Sequence, residues 1–191
     1  MTTIAYRDGV IAADSRVTVD SEGGGSRGFH CEKLFSKFIK FQGKKQNVVL
    51  AGAGEAFAAE LFIQNYTGGE VEQSIKENFL VGDADFTVLL MDSAGSLYEM
   101  DRWCHFTKIK DTFYAVGSGA KAALGAMHMG ADAYRAVQVA CEIDPYTAPP
   151  VIYRIADGYV PPSGYANTAG PQLGHALNSF SNMQPAEAKH P

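Results

Sequence analysis

Apolar residues in the first third of the chain alternate with polar ones or run in short blocks, the spacing of strands rather than helices. Residues 2–7 (Thr-Thr-Ile-Ala-Tyr-Arg) and 10–14 (Val-Ile-Ala-Ala-Asp) are two such β-prone runs. Asp8-Gly9 separates them, a dipeptide suited to the positive φ angles of a tight hairpin turn. Residues 21–28, with Gly23-Gly24-Gly25, predict a flexible loop. A strand is predicted over 33–41, a polar turn over 42–46 and a buried strand over 47–52, around Val48, Val49 and Leu50. At residue 55 the period changes. Phe57, Leu61 and Phe62 fall at helical spacing, and Thr67-Gly68-Gly69 closes a helix predicted over 55–66. A more polar helix is predicted over 70–80. Residues 86–92 and 96–101 predict a hairpin about Ser93-Ala94-Gly95, and 107–110 and 113–117 read as strands continuing its sheet. Helices over 120–129 and 133–142 and a last strand over 151–155 complete the pattern.

The order is strands, two helices, strands, two helices, strand. Hairpins imply antiparallel sheets, and helices grouped in pairs imply layers rather than strand–helix alternation. The class is α+β, and a four-layer αββα sandwich satisfies the order. Residues 1–160 form the expected domain. Residues 161–191 hold five of the eight prolines and only Glu187 and Lys189 as charges. This tail is expected to be largely disordered, with a short helical stretch near 173–180.

Composition narrows the function classes. A chain of 191 residues suits one domain with a sizeable core. Its 46% hydrophobic and 19% charged residues are ordinary for a globular protein. A net charge of −5 argues against a nucleic-acid partner, since phosphate binding needs clustered Lys and Arg. No apolar run approaches membrane-spanning length, and the start lacks the basic-then-apolar pattern of a secretory signal. Cys31, Cys104 and Cys141 have neither zinc-site nor disulfide-framework spacing, so reduced thiols and a cytoplasmic location are expected. His30, His105, His128, His175 and His190 show no ligand spacing, and Trp103 reads as a packing or subunit-contact residue. Gly52-Ala53-Gly54 is not a phosphate loop, because no Lys-Ser/Thr follows.

The candidate chemistry begins at Thr2. Met1 precedes a small residue, the setting in which aminopeptidases remove it, and removal would leave Thr2 with a hydroxyl and a free α-amine. That pair is a complete nucleophile and base. An unperturbed α-amine titrates near ~7.7–8.0, so a fraction of such amines is neutral at physiological pH. Other polar residues stand where core residues would be expected. Asp14 closes an apolar strand and Lys33 opens one. Ser118 lies between a strand and a helix, and Asp144 and Thr147 follow the last helix. Singly these have plain structural readings: a surface ion pair for Asp14 and Lys33, a strand end for Gly52, a helix N-cap for Ser118.

Together they carry a resemblance. Thr2-Thr3-Ile4, Asp8-Gly9-Val10-Ile11-Ala12-Ala13-Asp14, Lys33-Leu34-Phe35, Ala51-Gly52, Gly117-Ser118-Gly119 and the Asp144-x-Tyr146-Thr147 element occur in one order. In order and spacing the sequence resembles the proteasome β-subunit and HslV family of N-terminal-nucleophile threonine peptidases, over residues 2–155. The resemblance implies the N-terminal-nucleophile version of the αββα sandwich, with Thr2 as nucleophile and its α-amine as base. It implies Lys33 as a cation beside the hydroxyl, Asp14 as its anchor and the Gly52 N–H as oxyanion donor. Ser118, Asp144 and Thr147 would support the amine. A substrate pocket of Val17, Cys31, Leu50 and Gly54 is implied, uncharged and so suited to an apolar side chain before the cleaved bond. So is a structural magnesium or sodium ion on the carbonyls of Cys141, Asp144 and Thr147, with no cofactor required for catalysis. Implied partners are further copies of the chain in stacked rings, peptide or unfolded-protein substrates and an ATPase unfoldase. Two alternatives stay open: an amidohydrolase of small amides, and a non-catalytic ring subunit if Met1 is retained.

Overall fold

The computed structural model describes residues 2–20, 26–68, 85–100 and 105–160. The helix expected over 70–80, the tail 161–191, Met1, Trp103 and Cys104 lie outside them. The elements are β1 (Thr3–Arg7), β2 (Val10–Ala13), β3 (Arg16–Asp20), β4 (Ser26–His30), β5 (Leu34–Phe41) and β6 (Lys44–Gly54), then α1 (Ala56–Asn65). They continue with β7 (Phe86–Met91), β8 (Leu97–Met100), β9 (Phe106–Lys108), β10 (Phe113–Gly117), α2 (Ala120–His128), α3 (Ala133–Ile143) and β11 (Ile152–Ile155).

Two antiparallel sheets stack face to face. One has the order β10-β1-β2-β11, the other β5-β6-β7-β8-β9, and β3-β4 form a separate two-stranded ribbon. Alternation along the strands sorts side chains into three cores. Between the sheets, Ile4, Tyr6, Ile11 and Ala13 meet Val49, Ala51, Leu89 and Met91. On the outer face of the first sheet, Ala5, Val10 and Ala12 take Ala123 and Met127 of α2 and Ala136, Val137 and Ala140 of α3. On the outer face of the second, Val48, Leu50, Val88 and Leu90 take Phe62, Ile63 and Tyr66 from α1 and its end. This is the αββα sandwich. Small alanines on both partners let α2 and α3 approach the first sheet closely.

Three local readings are corrected. Residues 26–28 are strand, not loop: β4 pairs with β3, with Gly28 opposite Thr18. Lys44–Gln46 belong to β6 because the turn needs only Gln42 and Gly43, at φ 48° and 81°. Finally, 107–110 and 113–117 do not continue one sheet. β9 pairs with β8, whereas β10 pairs with β1, so the chain crosses between sheets there. No helix among the described residues is long and apolar enough to cross a membrane.

Candidate active site

The β1–β2 hairpin brings the start of the chain to Asp14. Asp8 and Gly9, at φ 48° and 73°, form a two-residue turn flanked by Arg7 and Val10. A tight turn closes on a hydrogen-bonded pair, and such pairs recur at every second residue. Counting back, the ladder reaches Thr3 and Asp14, where the Asp14 N–H donates to the Thr3 carbonyl at 3.2 Å. The return bond does not go to the Asp14 carbonyl. The Thr3 N–H donates to Asp14 Oδ1 at 2.8 Å, so a carboxylate ends the ladder.

Lys33, just before β5, donates from Nζ to the same Oδ1 at 2.8 Å and to the Arg16 carbonyl at 2.5 Å. Asp14 Oδ2 accepts the N–H groups of Arg16 at 3.0 Å and Ala148 at 3.4 Å. The pair is buried, with side chains 4% and 0% exposed. Burial lowers the Lys33 pKa, and the attraction and hydrogen bond of Asp14 work against that shift. A buried ion pair is weak evidence of stabilisation, because desolvation offsets the attraction. Donors on both carboxylate oxygens compensate Asp14. What they hold in place is an ammonium next to the first residues of the chain.

Gly52 is placed by the same parity. The Gln42-Gly43 turn makes Phe41 and Lys44 a bonded pair, so the even-numbered residues of β6 point their backbone groups toward β5. β5 ends its pairing at Leu34, opposite Ala51. The Gly52 N–H therefore faces the side from which Lys33 enters β5, where the ladder has stopped. The absence of a side chain is required on the other face. A Cβ on Gly52 would lie 2.7 Å from Ala59 Cβ of α1, closer than real side chains pack.

The third group of residues forms a continuous chain of hydrogen bonds. The Ser118 N–H donates to the Thr2 carbonyl at 2.9 Å. The Gly119 N–H donates to Thr3 Oγ1 at 3.0 Å, and Thr3 Oγ1 and Thr147 Oγ1 lie 2.6 Å apart. Thr147 Oγ1 donates to Asp144 Oδ2 at 2.5 Å, as does Ser118 Oγ at 2.6 Å. Burial would raise the Asp144 pKa, but the donated bonds of Ser118, Thr147 and the Tyr146 N–H outweigh it and hold it below the ordinary value. Ser118 is not a helix cap: the N-cap of α2 is Gly119.

The architecture matches known structures. Thiobacillus denitrificans BPH in complex with epoxomicin aligns with a TM-score of 0.52 at 20% identity, covering 81% of this chain and 96% of that one. Eukaryotic HslV from Trypanosoma brucei aligns at 0.54 and 14%, covering 81% and 97%. An Anbu (Gly-1) mutant from Hyphomicrobium sp. strain MC1 aligns at 0.57 and 15%, covering 81% and 82%. The chain has the fold of the HslV- and proteasome-type N-terminal-nucleophile hydrolases. No protein-family model and no curated protein sequence matches it.

Within this HslV-type fold, Thr2 (4% exposed) is bonded through its carbonyl to Ser118, while its neighbour Thr3 makes the bonds to Asp14 and Thr147 that link Lys33 and Asp144 to the start of the chain. The expected pocket residues are more dispersed. Val17 is buried in β3, and Cys31 follows β4, its N–H donating to the Ser15 carbonyl at 2.8 Å. Leu50 is fully buried in the core under α1. Gly54 is exposed at φ 95°, and a Cβ there would lie 2.3 Å from the Asp85 carbonyl oxygen. Burial pushes the Cys31 thiol up and the Cys141 thiol to about 11, so neither is a ready thiolate at neutral pH. Among the described residues no group of three or more His, Cys, Asp or Glu could hold a metal ion. Two contributors escaped the sequence reading. Arg16 acts through its carbonyl, which no side-chain pattern reveals. Thr3 was signalled by a hydroxyl on the helix-facing side of β1, which it shares with Ala5 and Arg7.

Proposed function

We propose that the chain is a threonine-type endopeptidase subunit of a proteasome-like ring, cleaving peptide bonds through an acyl-enzyme on Thr2. The observation that carries the reading is the double use of Asp14 Oδ1. One oxygen holds both the Lys33 ammonium and the N–H of the residue after Thr2, each at 2.8 Å. A cation anchored there favours the alkoxide form of a neighbouring hydroxyl. Once Met1 is removed, the Thr2 α-amine takes the proton from Oγ as Oγ attacks the scissile carbonyl carbon. The Gly52 N–H receives the developing oxyanion, a role in which one donor contributes about 2.7–4 kcal/mol in other hydrolases. The amine then passes its proton to the departing peptide amine. Water, deprotonated by the same α-amine, hydrolyses the ester and restores Thr2.

Of the residues expected in the pocket, Val17, Cys31 and Gly54 carry no charge, which supports an apolar side chain before the cleaved bond, while Leu50 packs beneath α1. A magnesium or sodium ion on the carbonyls of Cys141, Asp144 and Thr147 belongs to the same reading as a structural element. It would brace the end of α3, and no step of the chemistry passes through it. The test is intact mass after treatment with epoxomicin, paired with a fluorogenic peptide panel. The expected result is a chain lacking Met1 that gains one inhibitor mass. Thr2→Ala should lose both the adduct and turnover, and cleavage after Leu or Tyr should exceed cleavage after Arg or Glu. Undiminished turnover by Thr2→Ala would overturn the assignment. Retention of Met1 without an adduct would favour the non-catalytic ring subunit.

A further inference from the structure

We propose that Thr3 is a positioning residue for this reaction, its hydroxyl tying the strand that carries Thr2 to the Ser118, Asp144 and Thr147 elements. The inference rests on Thr2 being the nucleophile and adds a residue to that site. It follows from counting protons. Thr147 has one hydroxyl proton, and that proton goes to Asp144 Oδ2, since an ionised carboxylate can only accept. The 2.6 Å contact between Thr147 Oγ1 and Thr3 Oγ1 must then be donated by Thr3. Thr3 Oγ1 in turn accepts the Gly119 N–H at 3.0 Å. The bonds therefore have a single direction: Gly119 N–H to Thr3, Thr3 to Thr147, Thr147 to Asp144. Thr3 is wholly buried, so water does not substitute for these partners. Space is equally constrained, because a Cβ on Gly119 would lie 2.3 Å from Thr3 Oγ1.

Through its backbone Thr3 is also bonded to Asp14, the anchor of Lys33. Thr3 thus connects the two halves of the site, the ammonium side and the Ser118–Asp144–Thr147 side, one residue from Thr2. Removing its hydroxyl leaves the buried Gly119 N–H without this acceptor and frees Thr147 to turn. The expected damage is to the alignment of Thr2 with its supports, a kcat effect, because Thr3 is not among the residues assigned to the pocket.

The experiment compares Thr3→Val, which keeps the shape and removes the hydroxyl, with Thr3→Ser, which keeps the hydroxyl. Both are made in the full-length protein and assayed with a fluorogenic peptide amide, with Thr2→Ala alongside. The proposal expects kcat of Thr3→Val to fall at least tenfold with KM within twofold, and Thr3→Ser to stay within threefold of the parent. Turnover of Thr3→Val within threefold of the parent, or an equal loss in Thr3→Ser, overturns it. If Thr2→Ala turns over normally, the nucleophile assignment falls and this inference with it. If Thr2→Ala is dead while Thr3→Val is unimpaired, only this inference falls. Should Thr3→Val not fold, Thr3→Cys replaces it, since a thiol donates and accepts weakly. Equal kcat for the Cys and Ser variants then overturns the proposal.

Discussion

Lys33 is the residue on which charge, burial and the proposed chemistry meet. Its folded-state pKa lies below 10.5, because burial disfavours the ammonium more than Asp14 stabilises it. Between the folded and unfolded values the unfolded chain holds more protons. Stability should therefore rise with pH across that window as the buried charge is relieved. Activity should run the other way, since the proposed mechanism requires the cation beside the Thr2 hydroxyl. The kcat/KM profile is expected to be bell-shaped. Its acid limb should report the Thr2 α-amine losing its proton, and its alkaline limb should lie below the ordinary lysine value. Lys33→Ala should cost more than tenfold in kcat/KM, about 1.4 kcal/mol, and a smaller loss would place Lys33 outside the site. Asp14 and Lys33 were legible in the sequence because a charge at the end of an apolar strand needs a reason. Ser118 was less so. Its cap reading failed because Gly119 takes the capping position, which frees the Ser118 hydroxyl for Asp144.

β6 and α1 form the pair of elements that sets Gly52. Ala59 faces it across the interface, and Lys37 of β5 pins the end of the same helix by donating to the carbonyls of Ile63, Gln64 and Tyr66. Gly52→Ala should push α1 outward and cost about 1–3 kcal/mol through overpacking. In a chain of this size that lowers Tm by roughly 2–4 °C per kcal/mol. Adding Ala59→Gly should restore part of the loss despite the poorer helix propensity of glycine. Strictly additive losses in thermal melts would show that the Ala59 contact is not the cause. The helix itself was readable from the spacing of Phe57, Leu61 and Phe62, but only Phe62 of the three is buried, and Ala58, Ala59 and Ile63 complete the face that packs on the sheet. β3 and β4 were not, because the glycines between them signal a loop. The neighbour of Gly28 is visible only once β3 lies alongside: a Cβ there would sit 3.1 Å from the flexible Arg16 side chain.

The assembled chain leaves apolar side chains on its outer helices, with Phe57 74% and Ile143 66% exposed. Scattered singly, such side chains are ordinary surface, so the proposed ring is judged by particle size. Light scattering at micromolar concentration should report a particle many times the 20.5 kDa of one chain. A species near 20.5 kDa would contradict assembly.

Turn chemistry and periodicity are local, and the sequence alone therefore settled what depends on them. Asp8-Gly9 dictates a hairpin because both residues accept positive φ, and the hairpin in turn dictates that Asp14 returns to Thr3. Helical spacing likewise placed α1, α2 and α3. Which strands share a sheet is not local. Residues 106–117 look like two strands of one run, yet β9 extends one sheet and β10 pairs with β1 in the other. That crossing brings Ser118 to Thr2 and Gly119 to Thr3, across more than a hundred residues of chain. Only packing could choose it. Each sheet must cover one face with the other sheet and the opposite face with helices, and β1, with α2 and α3 on one face and the second sheet on the other, pairs its free edge with β10.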